Sequence, residues 1–379
     1  CDSFYPNRNA PANRYLSLIS EWSIDNKITL LTRDTKNKDL TEIRNIININ
    51  NFELVSSNKY LRGNTLLKKS INLFIFFVSS VFDLNSFKNR RFDIVLSSSP
   101  SLITFLIGYF ASKKFNSEFI IEIRDIWSES LRDLKIIQSN LIYKLVYKYE
   151  QYFYKKAKKI ICVSNNIKKK IGYEKKSFVF TNFAPIDIIK SKFINNNSKT
   201  KKINFEDIKL LYLGTIGLSH EFETIFKCMK EFRNFNLSIV GEGLQKNKIK
   251  INSSKNINFY EKTYDLKSIK NYYKSTDFVL ILLKNINIFK SVIPSKIFES
   301  AYLNKPIIYL GPKNEASGLI MEYGLGFCAH DINDLVNIFK YISNNHVDIK
   351  GFREKFEIFN KIYSTNLISK KYLYEILSK

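Results

Sequence analysis

The chain has 379 residues, of which 45% are hydrophobic and 15% aromatic, so it has ample apolar side chains for packing and is too long for one ordinary core. Its four cysteines are far apart without a CxxC spacing, and it has only three histidines, which excludes a disulfide framework, a zinc-binding cysteine motif and a histidine-rich metal site. The net charge of +25 has three interpretations: a compositional bias toward lysine, asparagine and isoleucine, attraction to an anionic membrane surface, or attraction to nucleic acid, for which no motif is present.

The first elements predict an incomplete βαβ unit. Residues 11–25 have the spacing of an amphipathic helix, and residues 27–32 (KITLLT) have the pattern of a strand. A loop carrying Arg8 and Asn9 precedes the helix, so the unit lacks its first strand. We therefore expect a short leading strand, central in a Rossmann-like sheet, to precede this sequence in a slightly longer protein.

Two apolar runs follow, at residues 71–82 and 102–111. Both are shorter than the roughly 20 residues that span a bilayer, so they predict buried helices. The first run is preceded by Lys68 and Lys69, and it alternatively predicts a helix lying in a membrane interface.

The rest of the first half alternates strands with helices, which predicts a parallel sheet covered on both faces. Arg124 and Asp125 directly follow the strand at residues 118–123. A carboxylate at a strand end can position an acceptor hydroxyl or act as a base. The alternative is that Asp125 only caps a loop and pairs with Arg124.

A polar, asparagine-rich segment at residues 186–207 predicts a linker. We therefore expect an N-terminal domain at 1–185, a linker at 186–207, a C-terminal domain at 208–350, and C-terminal helices at 351–379.

Two glycine loops follow strands of the second half. Gly214 and Gly217 come after residues 208–213, and Gly241 and Gly243 come after residues 237–240. Glycine lets backbone N–H groups approach an anion, and such loops also occur as simple tight turns.

A third loop follows the apolar strand at residues 277–283, and Pro294 and Ser295 mark the start of the next helix. Lys296 and Glu299 suit a phosphate and a sugar hydroxyl, or alternatively Glu299 complements the helix dipole while Lys296 is solvated. Three loops at one sheet edge predict a site for a nucleotide diphosphate.

The segments EIRDIWSESL, TNFAP, YLGTIGLSHEFETI, VGEG and VIPSKIFES, in this order, make the chain resemble the bacterial glycosyltransferases of family 4 (group 1), in the subgroup of capsule and O-antigen synthesis. The resemblance spans nearly the whole chain. It implies an α/β GT-B fold, with two Rossmann-like domains whose parallel sheets face each other across a cleft. It also implies that the C-terminal helices at 351–379 cross back to the first domain and that a hinge near the linker closes the cleft. It also implies transfer of a sugar from a nucleotide sugar to a lipid-linked glycan at the inner face of the plasma membrane, with retention and without a metal or other cofactor.

The resemblance also implies roles for individual residues. Glu299 matches the second acid of an E-x7-E motif that binds the donor ribose, and Lys296, next to Ser295, matches a lysine that contacts phosphate. Gly214 and Gly217 fall in the diphosphate loop, with Gly241 and Gly243 expected beside it. Asp125 and Arg124 are the expected catalytic pair, and Arg8, Asn9 and Asn13 are expected to face the acceptor.

The sequence departs from the family pattern at two places. Ser291 stands where the first acid of E-x7-E belongs, and Leu218 and Ser219 stand where a basic residue usually follows the second glycine. Lys296, Lys290 and Arg8 remain as candidates for balancing the diphosphate charge. Two other functions remain open: a nucleotide-sugar epimerase of the same fold, and a non-enzymatic basic protein that binds anionic lipid or nucleic acid.

Overall fold

The computed structural model describes residues 3–5, 9–33, 43–57, 66–99, 101–136, 138–190, 203–344, 347 and 349–378. The chain divides into two compact units. The first unit contains Cys1–Thr181, Pro185–Asp187 and Thr365–Lys379, and the second contains Asn182–Ala184 and Ile188–Ser364.

The first unit alternates strands and helices, as the sequence predicts, and it also contains a strand that the sequence analysis missed, Phe52–Ser57. Its strands are β1 (Ile28–Arg33), β2 (Phe52–Ser57), β3 (Ile94–Ser98), β4 (Glu118–Ile123), β5 (Lys159–Cys162) and β6 (Ser177–Val179). Its helices are α1 (Ala10–Trp22), α2 (Leu66–Ser86), α3 (Ile103–Phe115), α4 (Trp127–Asp133), α5 (Asn140–Lys156), α6 (Asn165–Ile171) and, near the C-terminus, α15 (Thr365–Leu377). Helix α7 (Ile186–Lys190) begins in the first unit and ends in the second.

Two parallel sheets form in this unit among the described residues. One is the pair β1–β2, and the other has the order β3-β4-β5-β6. Apolar side chains of β4 and β5, such as Ile121 and Ile160, pack with Phe105 of α3 and Phe153 of α5 in the main core.

A buried ion pair joins the elements of the first unit. Glu122 of β4 is fully buried, and its carboxylate accepts hydrogen bonds from Arg14 Nε (2.9 Å), Tyr15 Oη (2.9 Å) and Ser98 Oγ (2.8 Å). Arg14 also donates to the carbonyl oxygens of Thr181 (2.8 Å) and Phe180 (2.9 Å). Burial by itself raises the pKa of Glu122, but Arg14, Arg124 and the Ser98 hydroxyl outweigh it and hold this pKa below its usual 4.5.

The C-terminal helix α15 is attached to the same network. Tyr372 Oη donates to Glu122 (3.3 Å), and its ring stacks on Phe180 with centroids 4.9 Å apart. Trp22 of α1 donates from its indole N–H to the carbonyl oxygen of Ser369 (2.9 Å) and packs edge-on against Tyr372. Residues at both ends of the chain are therefore fixed around one carboxylate.

The second unit contains one six-stranded parallel sheet. Its strands are β7 (Ile208–Leu213), β8 (Phe235–Val240), β9 (Ile257–Tyr260), β10 (Phe278–Leu282), β11 (Ile307–Leu310) and β12 (Gly326–Ala329). Its helices are α8 (Phe222–Glu231), α9 (Lys246–Ile251), α10 (Leu266–Ser275), α11 (Lys296–Tyr302), α12 (Glu315–Glu322), α13 (Ile332–Ser343) and α14 (Ile349–Ile362).

The strand order of this sheet, β12-β11-β10-β7-β8-β9, places the first strand in the middle. Alternate side chains of β7 point to opposite faces, so Leu210 packs with α8 and α13 while Leu211 packs with Tyr273 of α10. Burial on both faces explains why β10 (FVLIL) and β11 (IIYL) are continuous apolar runs.

The C-terminal helices differ from the boundary expected at residue 351. Helix α14 belongs to the second unit, where Phe356 and Phe359 are buried, and only the segment from Thr365 onward belongs to the first. Residues 186–190 of the expected linker form α7, whereas residues 191–202 lie outside the described residues. Among the described residues, no helix is both long enough and apolar enough to cross a membrane.

We expect Arg14→Met to lower the free energy of unfolding of the first unit by about 3–5 kcal/mol, because it leaves the buried Glu122 carboxylate without its cation. Both tryptophans, Trp22 and Trp127, belong to this unit, so urea unfolding followed by tryptophan fluorescence reports on it. Arg90→Met, which breaks an exposed pair with Glu53, is the matched control and should cost about 0–1 kcal/mol. Equal losses in the two variants would contradict the structural role of the buried pair.

The lowered pKa of Glu122 also predicts a pH dependence. Because the folded pKa lies below the unfolded one, this group's contribution to stability is complete above about pH 5 and is lost as the pH falls through the folded pKa. Between about pH 5 and pH 3, the unfolding free energy of the wild type should therefore fall more steeply than that of Glu122→Gln. Parallel pH profiles from the same fluorescence measurement would refute this assignment.

Candidate functional site

The two glycine loops of the second unit are joined to each other by backbone hydrogen bonds. Gly214 N–H donates to the carbonyl oxygen of Val240 (3.0 Å), and Ile216 N–H donates to that of Glu242 (2.9 Å). Gln245 N–H donates in return to the carbonyl oxygen of Ile216 (3.1 Å). The loops after β7 and β8 therefore form one continuous surface at the carboxyl edge of the sheet.

The four glycines serve two different purposes. A Cβ at Gly241 would lie 1.9 Å from the Gly214 carbonyl oxygen, and one at Gly243 would lie 2.1 Å from that of Ile216, so these two glycines allow the loops to pack together. Around Gly214 and Gly217 a Cβ would meet only side chains at ordinary contact distances of 3.6 Å or more. Neither of them has a positive φ. Neither close packing nor backbone conformation therefore requires a glycine at position 214 or 217.

His220 supports the first glycine loop and was not among the predicted site residues. Gly217 N–H donates to His220 Nδ1 (3.3 Å), which assigns the ring proton to Nε2. Burial lowers the pKa of His220 below its usual 6.5, aided by the nearby Lys284 cation. The imidazole is therefore neutral at pH 7.

Lys296 and Glu299 are brought together on α11. Lys296 Nζ lies 2.7 Å and 2.8 Å from the two carboxylate oxygens of Glu299, and Tyr273 Oη of α10 donates to Oε1 at 2.7 Å. Burial and the neighbouring Glu299 raise the pKa of Tyr273 well above its usual value, so its hydroxyl remains a donor. Glu299 is buried and Lys296 is partly exposed. The alternative in which Lys296 is simply solvated is therefore incomplete, because Lys296 pairs with Glu299; the binding of a phosphate and a sugar hydroxyl by this pair stays a prediction.

The segment ahead of α11 is held by side-chain amides. Asn314 Nδ2 donates to the carbonyl oxygens of Phe289 (2.8 Å) and Val292 (3.3 Å), and Asn182 Nδ2 donates to that of Ile293 (3.0 Å). Ser291, which stands at the first acid of the family motif, is buried. Ser295 begins the helix without a capping hydrogen bond from its hydroxyl.

The sheet topology explains why these groups share one edge. The chain leaves β7 toward β8 on one side, and β10 and β11 follow on the other side, so the strand order reverses between β7 and β10. In open parallel sheets, ligands bind outside the carboxyl ends of the strands at such a reversal. The Gly214–Gly217 loop follows β7, and Lys296 and Glu299 follow β10, its hydrogen-bonded neighbour.

Asp125 and Arg124 lie in the turn after β4 in the first unit. The Ser99 hydroxyl accepts hydrogen bonds from the backbone N–H groups of Arg124 (2.8 Å) and Asp125 (3.3 Å). Burial raises the pKa of Asp125, and the Arg124 cation opposes this. The buried Arg124 Nε has no hydrogen-bond partner among the described residues. The cap of the following helix α4 comes from Glu150, which accepts from Trp127 N–H (2.8 Å).

The predicted acceptor-side residues belong to the start of α1. Asn9 Oδ1 accepts from Ala12 N–H (3.0 Å), and Asn9 Nδ2 donates to Ser3 Oγ (3.0 Å), so the Asn9 side chain caps the helix. Asn13 lies in the first turn of α1, and Arg8 lies outside the described residues. Their contact with an acceptor remains a prediction.

Among the described residues, no group of three His, Cys, Asp or Glu side chains is arranged to hold a metal ion. The carboxylate of Glu122, three residues before Asp125, accepts hydrogen bonds from Arg14, Tyr15 and Ser98.

The sequence matches no protein-family profile and no curated protein. Solved structures resemble the fold over nearly its full length. Alr3699/HepE of Anabaena, in complex with UDP-glucose, has a TM-score of 0.67 and 12% identity, covering 99% of this chain and 97% of that one. A sucrose-phosphate synthase of Thermosynechococcus elongatus has a TM-score of 0.67 and 12% identity, covering 96% and 92%.

A third similar structure is the lipopolysaccharide outer core galactosyltransferase WaaB without ligand. Its TM-score is 0.58 and its identity 14%, covering 99% of this chain and 97% of that one. At such identities a structural likeness establishes the fold alone. The chain has the GT-B fold, with a Rossmann-like unit in each half.

Proposed function

We propose that the protein is a glycosyltransferase that moves a sugar from a nucleotide-sugar donor to a lipid-linked glycan during synthesis of a bacterial surface polysaccharide. The observation that carries the proposal is the arrangement at the β7/β10 reversal, where a glycine loop whose glycines are not required by close packing and a Lys–Glu pair follow adjacent strands. The resemblance of the sequence to family 4 enzymes of capsule and O-antigen synthesis supports the choice of acceptor.

In this proposal the donor diphosphate lies against the backbone of Gly214–Gly217, with Gly241, Gly243 and Ser295 beside it. Lys296 supplies the positive charge, since its ammonium is partly exposed and is held by a flexible side chain. The His220 Nε2–H provides a further donor to the same loop. Stabilisation of the leaving diphosphate by such preorganised donors is the main catalytic contribution.

Glu299 binds the donor ribose. Each carboxylate oxygen has two acceptor sites, and Oε2 has only Lys296 as its partner among the described residues, so ribose hydroxyl groups can donate to it. Tyr273 fixes the carboxylate through Oε1 and is a positioning residue. Because the similar HepE structures contain UDP or UDP-glucose, UDP is the first nucleotide to test.

The first unit binds the acceptor. Asp125 positions the acceptor hydroxyl, and its raised pKa makes the ionised carboxylate a stronger base; Arg124 beside it supplies a cation. Arg8, Asn9 and Asn13 at the start of α1 contribute to the same acceptor side. The reaction proceeds with retention and without a metal or cofactor, as in the family that the sequence resembles.

A face of the first unit supports a peripheral location at the inner face of the plasma membrane. Phe74 and Phe82 of α2, Phe110 of α3, and Leu141 and Leu145 of α5 are 51% to 69% exposed. The three helices are connected by ring contacts, Phe77 with Phe110 (6.0 Å) and Tyr109 with Tyr152 (6.1 Å).

Cations accompany this apolar face. Lys113 lies 5.6 Å from the Tyr109 ring and Lys156 lies 5.6 Å from the Tyr152 ring, and Lys144 and Lys148 are exposed on α5. Exposed apolar side chains bordered by lysines suit the surface of an anionic bilayer.

We expect UDP to raise the melting temperature of the protein and Glu299→Gln to reduce this effect. Losing the charged acceptor should raise the Kd for UDP about 10- to 100-fold, because hydrogen bonds to charged groups contribute about 1.5–3 kcal/mol. Isothermal titration measures the change, and Glu223→Gln, an exposed glutamate on α8, is the control that should leave the Kd unchanged.

Each competing function gives a different result in these measurements. If the protein converts a UDP-sugar into its epimer when no acceptor is present, it is an epimerase and not a transferase. If no nucleotide at about millimolar concentration shifts the melting temperature, and the protein binds polyanions in a salt-sensitive way, it is a basic binding protein and not a transferase.

The double variant Phe74→Ser/Phe82→Ser should bind phosphatidylglycerol vesicles at least about tenfold more weakly than the wild type, because it removes two large exposed apolar side chains. Co-sedimentation with vesicles measures this binding, and pure phosphatidylcholine vesicles should bind weakly. Leu244→Ser, at an exposed leucine of the second unit, is the control. Equal binding by the wild type and the double variant would contradict the assignment of this face to the membrane.

A further inference from the structure

The loop after β10 is joined to the first glycine loop by a backbone hydrogen bond. Lys284 follows β10 closely, and its N–H donates to the carbonyl oxygen of Ser219 (2.9 Å), just after Gly217. Because β10 is paired in parallel with β7, the two loops leave the same edge of the sheet. The backbone of Lys284 therefore lies against the candidate diphosphate loop, although Lys284 was not among the predicted site residues.

The ammonium group of Lys284 acts on the same loop. His220 Nδ1 accepts a hydrogen bond from Gly217 N–H (3.3 Å), so the imidazole lies beside the loop backbone. Burial lowers the pKa of His220, and the positive charge of Lys284 contributes to the lowering. Since the interaction between two charges weakens with distance, this effect is that of a nearby cation.

Lys284 differs from two other lysines at this edge in its lack of an acidic partner. Lys296 is paired with Glu299 (2.7 Å), and Lys246, which follows the second glycine loop, is paired with two glutamates. Among the described residues, the ammonium of Lys284 forms no ion pair with a carboxylate, although Lys284 is half-buried. A cation that is partly removed from water and lacks a counter-charge favours an anionic ligand.

The charge of the candidate donor site requires such a cation. Leu218 and Ser219 stand where a basic residue usually follows the second glycine in the family that the sequence resembles. Lys296 and Glu299 together contribute no net charge, whereas a nucleoside diphosphate carries several negative charges. Lys284 adds a positive charge beside the loop where the glycine-loop sequence itself has none.

We propose that Lys284 binds the donor diphosphate on Gly214–Gly217, in place of the basic residue that the glycine loop lacks. The inference rests on the proposed function and adds a residue to the same site. The ammonium of Lys284 contacts phosphate oxygens only, while Glu299 contacts the ribose. The site therefore discriminates a nucleoside diphosphate from a nucleoside, which offers no anionic group to Lys284.

The variant Lys284→Met tests this role. It should raise the Kd for UDP about 10- to 100-fold in isothermal titration, because it removes a charged partner of the phosphates. The Kd for uridine, measured by ligand-observed NMR, should stay unchanged. Lys274→Met is the matched control, since Lys274 is exposed at the end of α10, where the chain enters the opposite edge of the sheet, and should alter neither Kd. Lys284→Arg keeps the positive charge and should retain most of the affinity for UDP.

A second measurement needs no nucleotide. An NMR pH titration of the histidine rings, with His220→Gln to assign the signal, should show that Lys284→Met raises the pKa of His220, because the neighbouring cation is gone. The same spectra verify that the variant is folded. An unchanged pKa of His220 would contradict the position of the ammonium beside the loop.

The outcomes separate this inference from the proposed function. If the wild type binds UDP and Lys284→Met binds it equally well, the role of Lys284 is wrong and the proposed function stands. Equal losses of affinity in Lys284→Met and Lys284→Arg would also overturn the role, because the effect would then not depend on charge. If the wild type binds no nucleotide at all, the proposed function is wrong and this inference fails with it.

Discussion

The buried Arg14–Glu122 ion pair is the interaction on which the first unit depends. Five separate parts of the chain converge on it: α1, β3, β4, the segment after β6 and α15. Burying a carboxylate costs free energy unless it has a cationic partner and its lone pairs accept hydrogen bonds. These parts therefore cannot separate without exposing a charge or leaving it without its partner. The same network places the start of α1 and the turn of Asp125 beside the carboxyl edge of β3 and β4.

The candidate donor site of the second unit depends on a different constraint, the close approach of two backbones. Gly241 and Gly243 allow the β8 loop to contact the β7 loop directly, whereas a Cβ at Gly214 or Gly217 would make only ordinary contacts with side chains. Tyr273 and Lys296 together orient Glu299 on the neighbouring α11. The site is thus rigid on its carboxylate side and accessible at its glycine side, an arrangement suited to a ligand with a sugar at one end and phosphates at the other.

Sequence patterns predicted much of this structure because the sheets are parallel and many of their strands are buried. Strand Phe278–Leu282 is a continuous apolar run inside the expected residues 277–283, and the bounds of Ile208–Leu213 agree with the expected ones. The strand Phe52–Ser57 was missed, since its sequence FELVSS contains a charge and two serines and has no long apolar run. The supporting roles of Tyr273 and His220 were also missed, because a tyrosine in a helix and a histidine in a loop have no spacing that distinguishes them.

By itself, then, the sequence determined the alternation of strands and helices and the loops that carry Gly214, Lys296 and Glu299, whereas the GT-B fold was expected from the resemblance to a known family. These follow from local periodicity and from short motifs, which act over a few residues. Only the tertiary structure decided which partners those residues have. The contacts of Arg14 with Glu122, of Tyr273 with Glu299 and of Gly241 with Gly214 join residues 26 to 108 positions apart, and such pairings arise from the packing of whole elements.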